Sequence, residues 1–508
     1  MFIDFDRTAH VPIYLQINES ICDLIGQGKL RPGDRLPSTR QLATTLGLNR
    51  MTVFAAFSKL EADGRITSQV GRGTFVSYTN PAAERKPLAA ALLDPEALSR
   101  LWSPLFNDLQ SAPTVRPTVS PRQSARMISF KAAAPTSELF PAVEFRRCMD
   151  FVLKRRVTEI STLGPSDGLP SLKAYLVRWF AQNGIEVSED EVLVTTGCQQ
   201  SMDLIRRVLV APGDALMLEN PTYPGAIGAL TPSAGERLEL PIQGYRPDLA
   251  AFGSPGRCNR CKLIYVVPNF HNPTGKSMPR ETRQQLVAIA SQRRIPIVED
   301  DVFGELRYGG AVMPALKALC PHLVIYIGSF SKMLNPALRV GWVVAPRPVI
   351  KQLNTVKQAS DLHTNVLMQA ALDEFCRRDL LHRHLKRVKR IFQRRRDAMA
   401  EALQRWFPSE ARWTPPEGGL SMWVSLAPEC NTDELLRLAE ERGVQFLPGS
   451  VFYFRSPACN SLRLSFAAES EQRIQEGIRL LGDLLGSERS RPYYTGKWSE
   501  RRLAPPIM

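Results

Sequence analysis

The sequence predicts a large α/β domain preceded by a small α+β domain, and three observations carry that prediction. Short apolar runs at residues 191–195, 215–218, 263–267, 295–299 and 324–327 alternate with helical stretches, the pattern of a sheet covered by helices. The stretch 1–78 instead holds short amphipathic helices followed by two strands around Gly71-Arg72-Gly73. Between the two, residues 79–125 carry seven prolines amid Ser, Thr and basic residues, which makes a partly stiff connector. The expected boundaries are therefore a head at 1–78, a linker at 79–125, a body at 126–486 and a basic tail at 487–508.

The totals narrow the function classes. At 508 residues two or three domains are expected. A net charge of +15 favours an anionic partner, most simply nucleic acid. Nine cysteines scattered through so long a chain argue against a disulfide scaffold and for a reducing compartment. Cys258 and Cys261 are the one close pair; with no second pair or histidine cluster they read as loop cysteines, not a zinc site. The opening Met1-Phe2-Ile3-Asp4-Phe5-Asp6 carries acids where a signal peptide needs basic residues, and no apolar run reaches the ~20 residues of a membrane span. A cytoplasmic protein with no membrane partner is the expectation.

In the head, Ile13, Ile17, Ile21, Leu24 and Ile25 recur at helical spacing, and Gly28 and Pro32-Gly33 end that helix. Ser38 is suited to cap a second helix with Leu42, Ala43 and Leu46 on its apolar face. Gly47 permits a turn, and Asn49 caps a third helix at 50–62 whose Val53, Phe57 and Leu60 face inward. Strands at 66–70 and 74–78 complete a winged helix-turn-helix. Such a motif presents the first residues of its second helix to the major groove; here these are Asn49, Arg50, Met51 and Thr52. Arg50 can reach guanine edges or phosphates, and Asn49 and Thr52 can bond to either. Arg40 is placed for a phosphate, and Gly71 and Arg72 at the wing tip for the minor groove. Singly, each arginine reads as a solvated surface charge; their order and spacing point to double-stranded DNA.

Three stretches of the head, Gly33-Asp34-Arg35-Leu36-Pro37-Ser38-Thr39-Arg40, Leu46-Gly47-Leu48-Asn49-Arg50-Met51-Thr52-Val53 and Gly71-Arg72-Gly73-Thr74-Phe75-Val76, resemble the winged-helix domain of the GntR family of bacterial transcription regulators. The resemblance implies operator contacts at Arg40, Arg50, Thr52 and Gly71, with Arg35 and Ser38 as additions.

In the body, chemistry-bearing residues follow successive strands, where ligands collect in open α/β sheets. After 191–195 comes Gly197-Cys198-Gln199-Gln200, a turn into a helix that can offer backbone N–H groups to a phosphate. After 215–218 comes Tyr223, an aromatic face for a flat ring. After 263–267 comes Asn272 in a rigid Asn-Pro turn, and after 295–299 come Asp300-Asp301. Buried carboxylates call for a cation, such as a protonated ring nitrogen. After 324–327 comes Ser329-Phe330-Ser331-Lys332, with Arg339 seven residues on. Partial desolvation lowers a lysine's pKa and frees its amine for imine chemistry, and Arg339 supplies a forked cation. Each residue alone has a bland reading as core or surface; the ordered set does not.

This set resembles the fold-type I aminotransferases, which bind pyridoxal 5′-phosphate (PLP). The resemblance implies a PLP-dependent transferase-like fold in which Lys332 forms the Schiff base and Asp300 pairs with the pyridinium nitrogen. It further implies that Asn272 bonds the ring 3-oxygen, Tyr223 stacks, and Gly197, Cys198, Gln199, Ser329 and Arg339 hold the phosphate. Arg463, in Ser461-Leu462-Arg463-Leu464-Ser465-Phe466, matches the arginine that clamps a ligand carboxylate. A GntR head followed by such a body resembles the MocR-type regulators, which use PLP or an amino compound as signal and form homodimers with each head over the partner's body.

Two positions depart from the enzyme pattern. Phe303 stands where a Tyr commonly bonds the 3-oxygen, and Leu163 where a Tyr reaches the neighbouring subunit's phosphate. Both losses weaken the tools for turnover. Residues 377–396 form a dense basic helix, read as a solvated face in preference to a second DNA surface. Residues 88–109 have room for one amphipathic helix. The leading expectation is a PLP-dependent DNA-binding regulator. The rivals are a working aminotransferase with an appended DNA module, and a DNA-binding protein whose body only dimerises.

Overall fold

The computed structural model describes residues 3, 5–6, 11–69, 72–77, 127–231, 235–243, 246–249 and 260–488. The expectations for the linker, for the helix at 88–109, for Gly71, for Cys258 and for the residues after 488 lie outside the described residues. Two compact units, 1–108 and 109–508, divide the chain.

The head runs α1 (Ile13–Gly26), β1 (Arg35–Leu36), α2 (Thr39–Leu46), α3 (Arg50–Ala62), β2 (Ile66–Gln69) and β3 (Gly73–Val76). Caps set the helix starts. Ser38 Oγ accepts from Gln41 N, and the Gln41 side chain returns to Ser38 N, a reciprocal capping box. Asn49 Oδ1 accepts from Met51 N at 2.9 Å. Gly47 closes α2 at φ 61°, a left-handed value glycine adopts without strain. Ile17, Ile21, Leu42, Val53, Phe57 and Leu60 form the core. The wing strands lie within or beside the expected ranges, with Val70 and Tyr78 outside the described residues, and β1 adds a third strand antiparallel to β3. At two residues, β1 is too short to show a period-two pattern.

The body is built on one eight-stranded sheet of β4 (Val192–Thr195), β5 (Ala215–Asn220), β6 (Glu236–Gln243), β7 (Arg246–Pro247), β8 (Cys261–Val266), β9 (Ile297–Asp300), β10 (Val324–Ser329) and β11 (Gly341–Val344). Their order is β4-β11-β10-β9-β8-β5-β6-β7. Strands β10, β9, β8, β5 and β6 are parallel, while β11 runs antiparallel to both β10 and β4. The carboxyl ends of the parallel strands, and of β4, therefore share one edge. Alternate residues face opposite cores: Val298, Ile325 and Ile327 pack on one side, Ile297 and Val324 on the other. Burial on both faces explains why these strands read as unbroken apolar runs.

A second, antiparallel sheet of β12 (Arg412–Trp413), β13 (Ser421–Ser425), β14 (Leu447–Pro448) and β15 (Ser461–Ser465), ordered β12-β13-β15-β14, belongs to the same unit. Near it the long helix Leu380–Trp406 packs against the helix Glu471–Glu488.

Candidate cofactor site and nucleic-acid face

The sheet register builds a cup at the shared strand edge. Ser329 pairs with Gly341, and Gly341 with Thr195, so the turns after β4 and β10 meet across a single glycine. A Cβ on Gly341 would lie 2.8 Å from Gly197 Cα and 2.7 Å from Gly328 O; only glycine fits. Gly197, at φ 96°, caps the helix Cys198–Leu209. Arg339 bends back through a left-handed φ of 52°. Its Nη2 donates to Thr196 O at 2.5 Å and would meet a Cβ on Gly197 at 2.9 Å. The Cys198 thiol bonds to Ser329, and burial raises its pKa so that it stays neutral. Gln199 Nε2 reaches Gly225 O at 3.4 Å and its side chain also bonds Tyr223. Helix N–H groups, a serine hydroxyl and a guanidinium fork in one cup suit a phosphate.

Deeper in, the two adjacent carboxylates differ. Asp301 accepts from Asn269 Nδ2 at 2.8 Å and from the Tyr326 hydroxyl at 3.0 Å, one bond to each oxygen. Asp300 accepts from the Tyr265 hydroxyl at 2.7 Å on Oδ2, whereas its buried Oδ1 has no partner. Burial raises the Asp300 pKa to about 6, opposed by the Tyr265 bond. A buried, unpartnered carboxylate oxygen is costly, and a protonated ring nitrogen is a group that would relieve it. Lys332 is half-buried, and its pKa falls to about 8, first through desolvation and then through the positive charge of Arg463. At neutral pH an appreciable fraction of this amine is unprotonated.

The second sheet contributes Arg463 from β15. Arg463 is buried, donates to Asn272 Oδ1 at 2.9 Å and to Lys131 O at 2.5 Å, and stacks on Phe452 at 5.1 Å. Its Nε has no partner, and burial lowers its pKa to about 10. Because Asn272 Oδ1 accepts from Arg463, the amide is oriented with its donor nitrogen left for a ring oxygen. Tyr223 is half-buried; desolvation and the Asp300 charge raise its phenol to about 12. The structure thus brings Gly197, Cys198, Gln199, Tyr223, Asn272, Asp300, Ser329, Lys332, Arg339 and Arg463 to one place, a donor set that fits PLP. Phe303 is buried in the core, and Leu163 is 79% exposed. Sequence reasoning missed Tyr265. The signal was one hydroxyl-bearing ring in the buried run Leu263–Val266 of the strand beside the one that ends in Asp300.

On the head, Arg40, Asn49, Arg50 and Arg72 are exposed and Thr52 is half-buried. The Ser38 hydroxyl and the Asn49 amide carbonyl cap their helices. Arg35 flanks the wing, its Nε 2.8 Å from where a Cβ on Gly73 would lie. The sequence reading also missed Phe54, which with Met51 stands exposed near the start of α3; exposed apolar groups there suit thymine methyls. Among the described residues no group of three or more His, Cys, Asp and Glu could hold a metal, and no helix is long and apolar enough to cross a membrane.

Comparison with known proteins gives two family matches: aminotransferase class I and II over residues 152–481, and the gntR family of bacterial regulatory proteins over residues 13–76. The chain is 36% identical to a 2-aminoadipate transaminase of Thermus thermophilus, over 74% of this chain and 94% of that protein. Along nearly its whole length it matches the uncharacterized HTH-type transcriptional regulator YdfD of Bacillus subtilis, at 30% identity over 96% of this chain and 100% of the other. It also matches a probable rhizopine catabolism regulatory protein, MocR, of Rhizobium meliloti, at 29% identity over 94% of both. Among solved structures, LysN of Thermus thermophilus, an α-aminoadipate aminotransferase complexed with N-(5′-phosphopyridoxyl)-L-leucine, superposes with a TM-score of 0.70 at 34% identity. That match covers 76% of this chain and 98% of the other.

Proposed function

From the premise that this chain belongs to the aminotransferase class I and II family, fused as in the MocR-type regulators to a gntR-family helix-turn-helix, we propose that it is a PLP-dependent, DNA-binding transcription regulator responsive to PLP or an amino compound. The observation that carries the cofactor is Asp300 Oδ1, buried and unpartnered beside a lysine of lowered pKa. When bound, PLP supplies an aldehyde that captures amines and a ring that withdraws electrons.

The chain's own residues do the rest. Lys332 would hold the aldehyde carbon, and Asp300 would keep the ring nitrogen protonated. Asn272 would donate to the ring 3-oxygen, and Tyr223 would cover one ring face. Gly197, Cys198, Gln199, Ser329 and Arg339 would bind the phosphate. Arg463 would receive a carboxylate on the incoming effector, which makes an amino acid the favoured class. An effector that displaces Lys332 and engages Arg463 contacts the protein differently from PLP alone, the differential that coupling to DNA binding requires. On the head, Arg50 and Thr52 would contact base edges or phosphates, Arg35 and Arg40 would add contacts to the DNA backbone, and Arg72 would approach the minor groove. The assembly would be a homodimer with each head over the partner's body.

A working transaminase is the second reading, favoured by the 36% identity to the 2-aminoadipate transaminase. Phe303 counts against it, since the hydroxyl expected there is absent. Incubation of the full chain with PLP, borohydride reduction and peptide mapping tests the cofactor: the added mass must fall on Lys332, and an unchanged mass refutes the reading. Gel shifts on DNA upstream of its gene, with and without amino acids, test the response. Multiple turnovers with an amino acid and a keto acid would favour the enzyme.

A further inference from the structure

The chain's positive charge is not where its DNA reader is. The head, 1–78, holds nine Lys and Arg against seven carboxylates, a net +2 of the total +15. Residues 377–396 hold ten Lys and Arg against the single carboxylate Asp379, a net +9. Most of this run lies on the helix Leu380–Trp406. Leu381, Leu385, Val388, Phe392 and Met399 bury one side of that helix. Arg383, Lys386, Arg387, Arg390 and Arg394, spaced three and four apart, are exposed on the other.

Arg383 faces Asp379 at 3.7 Å and Arg394 faces Glu471 at 3.0 Å, both solvent-exposed pairs of little energetic weight. Arg387 donates to Leu139 O at 2.7 Å. Lys386 and Arg390 have no ion pair among the described residues. Arg383 with Arg387, Lys386 with Arg390, and Arg390 with Arg394 are like charges four apart, which destabilise a helix. Such a stripe is stabilised by a polyanion. From Arg383 to Arg394 the helix rises about 16 Å, a length over which one DNA strand presents about five phosphates. No large apolar residue is exposed between 380 and 405, so the stripe lacks the hydrophobic flank of a membrane-surface helix.

We propose that this face of the body is a second DNA-binding surface, which holds the sugar-phosphate backbone of duplex DNA without reading its sequence. The head supplies base recognition with little charge, and the body's stripe supplies the sequence-independent hold. The proposal rests on the regulator reading above, and the test separates the two.

Binding of the full-length, PLP-loaded protein to a long mixed-sequence duplex is followed across a salt series. Lys386→Gln with Arg390→Gln should weaken binding at low salt and flatten the slope of log K against log salt by about 1.8, two phosphate contacts at about 0.9 each. As a measure that needs no variant, Lys386 of the wild-type protein should be shielded by the duplex from an amine-modifying reagent. An unchanged slope, or Lys386 modified equally with and without DNA, overturns the proposal. So does a double variant that loses phosphatidylglycerol vesicles but keeps DNA. A wild-type protein that binds no duplex at any salt refutes the regulator reading itself.

Discussion

Tyr265 donates its phenolic proton to Asp300 Oδ2 at 2.7 Å, and the other oxygen of the same carboxylate is buried without a partner. The bond therefore holds the carboxylate in one orientation and leaves Oδ1 for a cation. It also opposes the burial that lifts the Asp300 pKa to about 6, so its removal raises that pKa further and leaves more of the carboxyl neutral near pH 7. Tyr265→Phe should weaken PLP binding roughly tenfold, the scale of a charged hydrogen bond of about 1.5 kcal/mol, as read by fluorescence titration. Asp301→Asn should act differently. Both Asp301 oxygens are used internally by Asn269 and Tyr326, so the loss should appear as a lower melting temperature of the apo protein.

The amine of Lys332 should be titrated by its own surroundings. Its folded pKa of about 8 lies below the ordinary 10.5, with burial the first cause and Arg463 the second. The reactive form is the neutral amine, so the rate of PLP capture by the apo protein should rise about tenfold per pH unit up to about 8 and then flatten. Arg463→Gln removes a cation that disfavours the ammonium form, so the midpoint should move upward. Stopped-flow absorbance across pH reads both. A midpoint near 10, as for an exposed lysine, would contradict the described enclosure of the amine.

Gly197 is the tightest point of the phosphate cup. At φ 96° it occupies backbone space that side chains rarely adopt, and a Cβ would sit 2.9 Å from Arg339 Nη2. Gly197→Ala should push the guanidinium out of the cup and strain the turn together. The expected result is a loss of PLP affinity of at least tenfold, matched to a charge-assisted bond of about 1.5 kcal/mol or more. Inorganic phosphate should then compete less effectively for the apo site. Retention of wild-type affinity would mean that Arg339 takes no part in anion binding.

Much of this architecture is legible in the chain because buried parallel strands leave unbroken apolar runs, and their ends fall where the chemistry sits. Val324 to Ile327 announces β10, and Lys332 follows it by simple counting. What escapes is contact between residues far apart in sequence. Arg463 and Asn272 are 191 residues apart, and nothing local says that one orients the other. Tyr265 reads as one more core aromatic until its hydroxyl is placed against Asp300. The antiparallel run of β11 escapes for a related reason, since periodicity reports burial and not direction. Of Asp300 and Asp301 the sequence motif prefers the first. The physical ground for that preference appears only when the hydrogen bonds of both are counted.

On the head, two neighbouring roles should separate cleanly. The Ser38 hydroxyl accepts from Gln41 N at 3.2 Å as half of a capping box, so Ser38→Ala should lower stability by about 1 kcal/mol. Once that loss is matched by a lower temperature, the variant should bind DNA nearly as the parent does. Arg50 is exposed at the first position of α3, with no ion pair among the described residues. Arg50→Ala should leave the melting temperature unchanged, because alanine has the highest helix propensity and no internal contact is lost. Its cost should fall on DNA: about 1–3 kcal/mol if Arg50 reads a guanine, with the loss concentrated on the cognate duplex. An equal loss on cognate and mixed-sequence duplexes would instead place Arg50 on a phosphate. Gel shifts with both duplexes, paired with thermal melts of both variants, distinguish the base-reading side chain from the capping one.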